Sequence, residues 1–300
     1  MTEPKWTIPR GGPEEARRAR ARHFVELHQH GCFLLPNAWD VGSARMLESV
    51  GFTALATTSG GIAFSYGRPD HDFISEQSTP GRLDRDRMLC RVREIVEEVR
   101  VPVSADLEDG YGESPGEVAQ TVALTLEAGA AGGNIEDFTG DRTRPLYDRE
   151  LAVERIRAAR AAVDKVGEPF VLVGRTDALL TQRSLAECVD RANSYLAAGA
   201  DCAFVPGAAD RESIARLVAE IDGPLNVVMG LSGSELSLAD LAALGVRRVT
   251  VGGSIARAMY HHLRRAAREL HDLGTFSYAD NQIPQSELNT VFGPHPSELY

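Results

Sequence analysis

From about residue 31 onward the chain alternates two kinds of segment. Short apolar runs rich in β-branched residues lie at 33–36, 53–58, 101–106, 133–136, 170–175, 202–205, 225–229 and 248–251. They are uniformly apolar rather than alternating, which predicts strands buried on both faces. Each is followed by a longer stretch with helical spacing, at 41–50, 82–99, 115–128, 149–163, 184–198, 211–220, 238–244 and 254–273, and a charged helical stretch near 13–30 precedes them all. Ser114, Pro115 and Glu117 form a capping box with proline at the first helical position, and Ser184 with Glu187 repeats the box. Gly51, Gly129, Gly167, Gly199 and Gly245 stand where left-handed caps are wanted. Eight such units predict an α/β fold, a closed (β/α)8 TIM-type barrel with an N-terminal helix over residues 1–273, with a doubly wound open sheet as the alternative. The stretch 59–82 is too long for an ordinary βα loop and is expected to cover the strand ends. The C-terminal helical tail, 274–300, carries Phe276, Tyr278, Leu288, Val291 and Phe292, which predict that it docks rather than hangs free.

Charge narrows the choice of partner. Asp and Glu total 43 against 32 Lys and Arg, a formal charge of −11 that repels nucleic acid and anionic membrane surfaces. A small molecule is the expected partner. The four cysteines, Cys32, Cys90, Cys188 and Cys202, form no metal-binding spacing and predict free thiols. The opening residues lack the apolar core of a signal peptide and no apolar run approaches the ~18 residues of a membrane span, so the cytoplasm is the expected compartment.

In a barrel of this kind the chemistry sits where the strands end. Those ends are acidic here: Asp106-Leu107-Glu108-Asp109 after the third predicted strand, Glu136-Asp137 after the fourth, and Arg175-Thr176-Asp177 after the fifth. Carboxylates converging on one mouth repel unless a cation sits among them. Hard oxygen donors with few imidazoles favour Mg2+ or Mn2+ over zinc. Asp106, Glu108 and Glu136 are the candidate ligands, whereas Asp109 and Asp137 read as pairing or capping residues. Arg175, the only basic residue in these strand-end motifs, suits a substrate carboxylate or an internal ion pair with Glu136 or Asp177. Thr57-Thr58-Ser59-Gly60-Gly61 offers N–H groups and hydroxyls to an oxyanion.

Taken together, Pro36-Asn37-Ala38-Trp39-Asp40, Ser59-Gly60-Gly61, Gly67-Arg68-Pro69-Asp70, Asp106-x-Glu108-x-Gly110-Tyr111-Gly112, Ile135-Glu136-Asp137 and Arg175-Thr176-Asp177 resemble the isocitrate lyase and phosphoenolpyruvate mutase superfamily, in order, over about residues 30–260. The resemblance implies a barrel whose Mg2+ site binds a 2-oxo acid or its enolate, and which makes or breaks a C–C or P–C bond beside it. By position it implies Asp106, Glu108 and Glu136 as the metal-binding acids and Ser59, Gly60 and Gly61 as the oxyanion loop. Arg175 is implied as the carboxylate clamp, with Asp70 and Tyr111 beside it in the catalytic set and Asp40 as a substrate-binding acid. It also implies a homodimer or homotetramer in which the tail packs on a neighbouring subunit.

The chain departs from that pattern after Glu136-Asp137. Isocitrate and methylisocitrate lyases carry Lys-[Lys/Arg]-Cys-Gly-His there, and phosphonopyruvate-forming mutases a Lys and an Asn. Segment 138–148 has no cysteine, lysine, histidine or asparagine, so those activities are not expected. It offers Arg142, Arg144 and Tyr147 instead, with Arg144 placed to hold a ligand's distal end. The expected function is a Mg2+-dependent carbon–carbon lyase acting on a small 2-oxo acid or related carboxylate. The alternatives are a phosphonomutase, an oxaloacetate-type hydrolase or decarboxylase, and a catalytically silent carboxylate-binding barrel.

Overall fold

Among the residues described by the computed structural model, 13–71, 81–233 and 235–294, nine parallel strands form one sheet. They are β1 (Phe33–Leu35), β2 (Asn37–Ala38), β3 (Leu55–Thr57), β4 (Val103–Asp106), β5 (Gly132–Glu136), β6 (Val171–Arg175), β7 (Cys202–Phe204), β8 (Leu225–Val228) and β9 (Arg248–Thr250). The helices are α1 (Pro13–Leu27), α2 (Val41–Val50), α3 (Ser59–Ser65), α4 (Arg85–Glu98), α5 (Pro115–Glu127), α6 (Arg149–Val166), α7 (Ala178–Gln182), α8 (Leu185–Ala197), α9 (Arg211–Glu220), α10 (Leu238–Leu244), α11 (Ser254–Arg268) and α12 (Gln285–Phe292). The sheet order β1-β9-β8-β7-β6-β5-β4-β3-β2 begins and ends on pieces of the same stave, so the barrel closes with eight staves.

The ninth strand arises because the first stave runs on past its predicted end at Pro36, and that proline splits it into β1 and β2. Lacking an N–H, proline interrupts the ladder, and β1 pairs with β9 while β2 pairs with β3. Asn37 mends the seam: its Oδ1 accepts from Val251 N at 2.9 Å and Gly252 N at 2.8 Å, and its Nδ2 donates to Thr57 O at 2.7 Å.

Local signals placed most helix ends. Ser114 and Glu117 make the reciprocal box, whereas Ser184 caps Glu187 N but the Glu187 carboxylate turns to Arg149 and Arg191 instead. The helix expected from residue 82 starts at Arg85, capped by Asp84, which releases Arg82 into the strand-end loops. The segment read as an oxyanion loop is the first turn of α3, capped by Thr58. Residues 72–80 of the expected covering loop lie outside the described residues.

The floor of the barrel is closed by α1. Phe24 is fully buried against Gly132, where a Cβ would come within 2.8 Å of the Phe24 ring, so only glycine admits this plug. His28, one turn on, is buried edge-on to the rings of Phe24 and Phe33 and donates from Nδ1 to Phe24 O at 2.8 Å. Burial, reinforced by Arg248, pulls its pKa down to about 3. The folded chain therefore keeps His28 neutral while the unfolded chain, titrating near 6.5, takes up a proton. This contribution is intact above about pH 6.5 and is lost as pH falls toward 3, by roughly 1.4 kcal/mol per pH unit. Urea unfolding of His28→Phe between pH 6.5 and 4.5 is expected to show a stability slope shallower by about one proton; an unchanged slope would refute the assignment.

At the other end of the chain, α12 lies against α2 of its own chain, where Arg45 donates to the carbonyls of Val291 and Phe292 at 3.1 Å. The open apolar surface lies upstream, on α11, the π turn Glu269–Leu273 and the residues just after it: Met259, Leu263, Leu270, Leu273 and Phe276 are all exposed.

Candidate active site

Parallel register brings the functional strand ends together. Asp106 pairs in register with Asn134, and Glu136 with Arg175, so acids from β4 and β5 and the guanidinium of β6 share the C-terminal mouth. Asp106 Oδ2 accepts from Ser59 N at 2.9 Å and Ser59 Oγ at 2.7 Å, and Oδ1 accepts from Asn134 Nδ2 at 2.9 Å. The Ser59 amide belongs to the first turn of α3, whose free N–H groups favour negative charge. Gly60 is required by close approach, since a Cβ there would stand 2.5 Å from Asp70 Oδ2. Asp70 thus folds over α3 toward the acids, and burial first and Asp106 second push its pKa up to about 6.

Glu108 and Glu136 are buried deeper. Glu136 Oε2 meets Arg175 Nη1 at 2.7 Å, while Glu108 Oε2 meets Arg82 Nε at 2.5 Å and Glu108 Oε1 accepts from the Tyr111 hydroxyl at 2.9 Å. His71 stands between the two acids, its Nδ1 3.4 Å from Glu136 and 3.7 Å from Glu108. Burial pushes both carboxyls up to about 7 although Arg82, Arg175 and His71 pull the other way. Glu108 and Tyr111 both hold left-handed backbone, φ 50° and 59°, which costs a non-glycine residue of order 1–3 kcal/mol, and the turn between them aims the two side chains at each other.

Arg175 reaches Asp177 through Nε at 2.7 Å and Nη2 at 2.9 Å, so its bidentate edge is closed on an internal partner. Burial works against its charge, but Asp177 and Glu136 outweigh that and hold it ionised. Asp109 and Asp137 pair internally. Asp109 meets Arg82 at 2.5 Å, and fully buried Asp137 accepts from Tyr195 Oη at 2.6 Å, Arg191 Nη1 at 3.1 Å and the Asp177 amide at 2.9 Å.

Two expected site residues are placed elsewhere. Asp40 is spent capping α2, accepting from Ser43 N at 2.7 Å. Arg144 sits on an exposed hairpin tip and pairs with Glu113 at 2.9 Å. The base of that hairpin, bridged between Phe138 and Leu146 and buried at Tyr147, carries more core than its polar sequence suggested. His71 and Arg82 were missed. The histidine follows Asp70 directly in a stretch read for its acid, and Arg82 was absorbed into a helix that begins later. The Phe138 ring lies 5.0 Å from the His71 ring, and a Cβ on Gly140 would meet His71 Nε2 at 2.7 Å, so the hairpin packs on this imidazole.

The donor chemistry suits a hard divalent cation. Asp70, Asp106, Glu108 and Glu136 supply carboxylate oxygens with no thiol among them in the described residues, and burial holds three of the four carboxyls above their usual range despite the nearby cations. Among the described residues no three acidic, imidazole or thiol groups are spaced as a ready-made coordination shell. Arg82, Arg175 and His71 hold Glu108 and Glu136 instead.

The phosphoenolpyruvate phosphomutase family profile matches residues 24–271. A 2,3-dimethylmalate lyase of Eubacterium barkeri is 32% identical over 86% of this chain and 88% of its own length. An oxaloacetate decarboxylase of Rhodopseudomonas palustris is 33% identical over 85% and 86%. The crystal structure of a provisionally named lyase/mutase from Burkholderia cenocepacia superposes with a TM-score of 0.87 at 44% identity, covering 93% of this chain and 98% of that one.

Proposed function

This chain belongs to the phosphoenolpyruvate mutase/isocitrate lyase superfamily of lyases and mutases, and on that premise we propose that it is a Mg2+-dependent carbon–carbon lyase acting on a small 2-oxo acid or related carboxylate through an enolate. The observation that carries the reading is the convergence at one mouth of Asp106, which is part-buried, with the buried Glu108 and Glu136 beside Arg175. Asp106, Glu108 and Glu136 would hold a divalent ion, which would supply Lewis-acid positive charge to a developing enolate. The chain's own groups do the rest. Ser59 fixes the Asp106 carboxylate from two directions, and Arg175, steered by Asp177, presents positive charge to the substrate carboxylate. At the start of α3 the Gly60 N–H faces developing negative charge, whereas the Gly61 N–H expected beside it is taken by the capping Thr58 hydroxyl at 3.3 Å. Asp70, and the Tyr111 hydroxyl that donates to Glu108, are the groups assigned to carry a proton to or from the substrate. The hairpin packed on His71 excludes water, and for Arg144 the exchange of Glu113 for a substrate's distal carboxylate is a surface ion-pair swap of small cost.

Decarboxylation or hydrolysis of an oxaloacetate-like acid is the second reading. The hairpin lacks a thiol, lysine or imidazole as leaving-group acid, and the decarboxylase relative spans the same part of the chain. A panel of 2-oxo acids, 2-hydroxy acids and phosphonates, assayed with Mg2+ and with EDTA, decides between them. EDTA-sensitive C–C cleavage into two organic fragments with neither CO2 nor oxalate released is expected; CO2 or oxalate as product would favour the second reading, and a rearranged P–C product or turnover indifferent to EDTA would overturn both.

The chain is further proposed to be a homo-oligomer in which a second copy covers the apolar face of α11. Met259 and Leu263 are 58% and 62% exposed on one helical face, a surface a lone subunit would leave wet. A Met259→Glu/Leu263→Glu variant is expected to run as a smaller species by light scattering while keeping its circular dichroism. A monomeric parent protein would exclude this arrangement.

A further inference from the structure

The barrel interior holds a charge that the mouth chemistry leaves unused. Arg248 on β9 is buried, in register with Asn226 on β8 and Phe33 on β1. Its Nη2 donates to Ser104 Oγ at 3.3 Å, and its guanidinium stands 5.8 Å from the Phe24 ring of the floor. Nε and Nη1 have no partner among the described residues, and neither does the neighbouring Asn226 Oδ1. Arg248 has no ion pair among these residues, and burial draws its pKa down to about 10, with Cys202 and then Asp106 acting the other way.

Asp106 shows the complementary pattern. Its hydrogen-bonding partners through both oxygens are neutral, Ser59 and Asn134, and it too has no ion pair among the described residues. Ser104, which Arg248 touches, precedes Asp106 by two positions on β4, so both side chains face the interior about 7 Å apart along the strand. An unpaired guanidinium therefore lies one interior layer below an unpaired carboxylate.

We infer that Arg248 is the internal counter-charge of Asp106, a positioning residue that holds this carboxylate from below and moderates how strongly the mouth attracts a cation. With the guanidinium at Ser104 and the carboxylate one layer up, the two charges stand on the order of 10 Å apart, a separation at which an interior pair still changes an equilibrium about tenfold. A neutral side chain of similar length would avoid the desolvation that Arg248 suffers, which makes its charge, rather than its bulk, the feature to test. The cation arm of the test rests on the proposed metal site; the stability arm does not.

Arg248→Gln and Arg248→Met remove the charge, and Arg248→Lys keeps it. In EDTA, urea unfolding of each variant with and without Asp106→Asn forms a double-mutant cycle. The expected result is that Asp106→Asn shifts the folded-to-unfolded ratio about tenfold less in the Gln or Met background than in the parent or Lys background. Additive effects would overturn the inference. Mn2+ titration by calorimetry is expected to show about tenfold tighter binding to the neutral variants, and equal or weaker binding would also overturn it. If neither the parent nor any variant binds Mn2+, the metal reading of the mouth falls while the cycle still decides the role of Arg248. Should Gln and Met variants fail to fold, a folded Lys variant supports a need for charge, and an unfolded one refutes it.

Discussion

Asp106→Asn is expected to abolish binding of Mg2+ or Mn2+ and to lower kcat/KM at least about a hundredfold on whichever substrate the panel identifies. The substitution is nearly isosteric, so the effect isolates charge and hydrogen-bond sense. Oδ2 accepts from the Ser59 amide and hydroxyl, and Oδ1 from the Asn134 amide. An asparagine has one acceptor and one donor there, so whichever way it is turned its NH2 faces another N–H, at Ser59 or at Asn134. The position loses both its negative charge and its fixed direction. Ser59→Ala keeps the charge and removes one of the three donors, and its loss should be nearer tenfold. Calorimetric titration with Mn2+ alongside steady-state kinetics separates the two variants. Parent-like cation affinity in Asp106→Asn would sink the ligand assignment.

The largest effect on stability is expected at Asp137, behind the mouth. Asp137→Ala should cost about 3–5 kcal/mol, because it leaves the buried Arg191 guanidinium without its interior carboxylate. It also strips acceptors from the Tyr195 hydroxyl and the Asp177 amide. Burial itself pushes the Asp137 carboxyl up, with Arg191 and Tyr195 only partly offsetting it. The pair therefore adds little net stability over an apolar substitute, although breaking it is expensive. Asp137→Asn with Arg191→Met is accordingly expected to recover much of the loss. Because Asp177 orients Arg175, the single variant should impair turnover as well. Arg144→Ala is the contrasting case: its partner Glu113 is exposed, and stability should change by less than ~1 kcal/mol. Urea midpoints measure all of these; an Asp137→Ala protein as stable as its parent would show that the network carries nothing.

The repeating architecture, most helix caps and the acids at the strand ends were legible in the chain itself. A helix period, a capping box such as Ser114 with Glu117, or a strand buried on both faces is set by residues only a few positions apart. Pro36 was legible as a proline but not as a divider of strands, since its consequence depends on which strands pair on either side. Arg175 was legible as a partner for Glu136 or Asp177, and it meets both, but the other partners of the acids were not legible. Arg82 lies 26 residues from Glu108 in the chain, Arg191 lies 54 from Asp137, and Arg248 lies 144 from the serine it touches. No local pattern marks such pairs, because the attraction joining them acts through space, after the sheet has closed and register has chosen which side chains face inward. The sequence by itself determined where negative charge would gather. Apart from Arg175, tertiary structure decided which positive charges meet it, because burial makes each close pairing strong and each missing one costly.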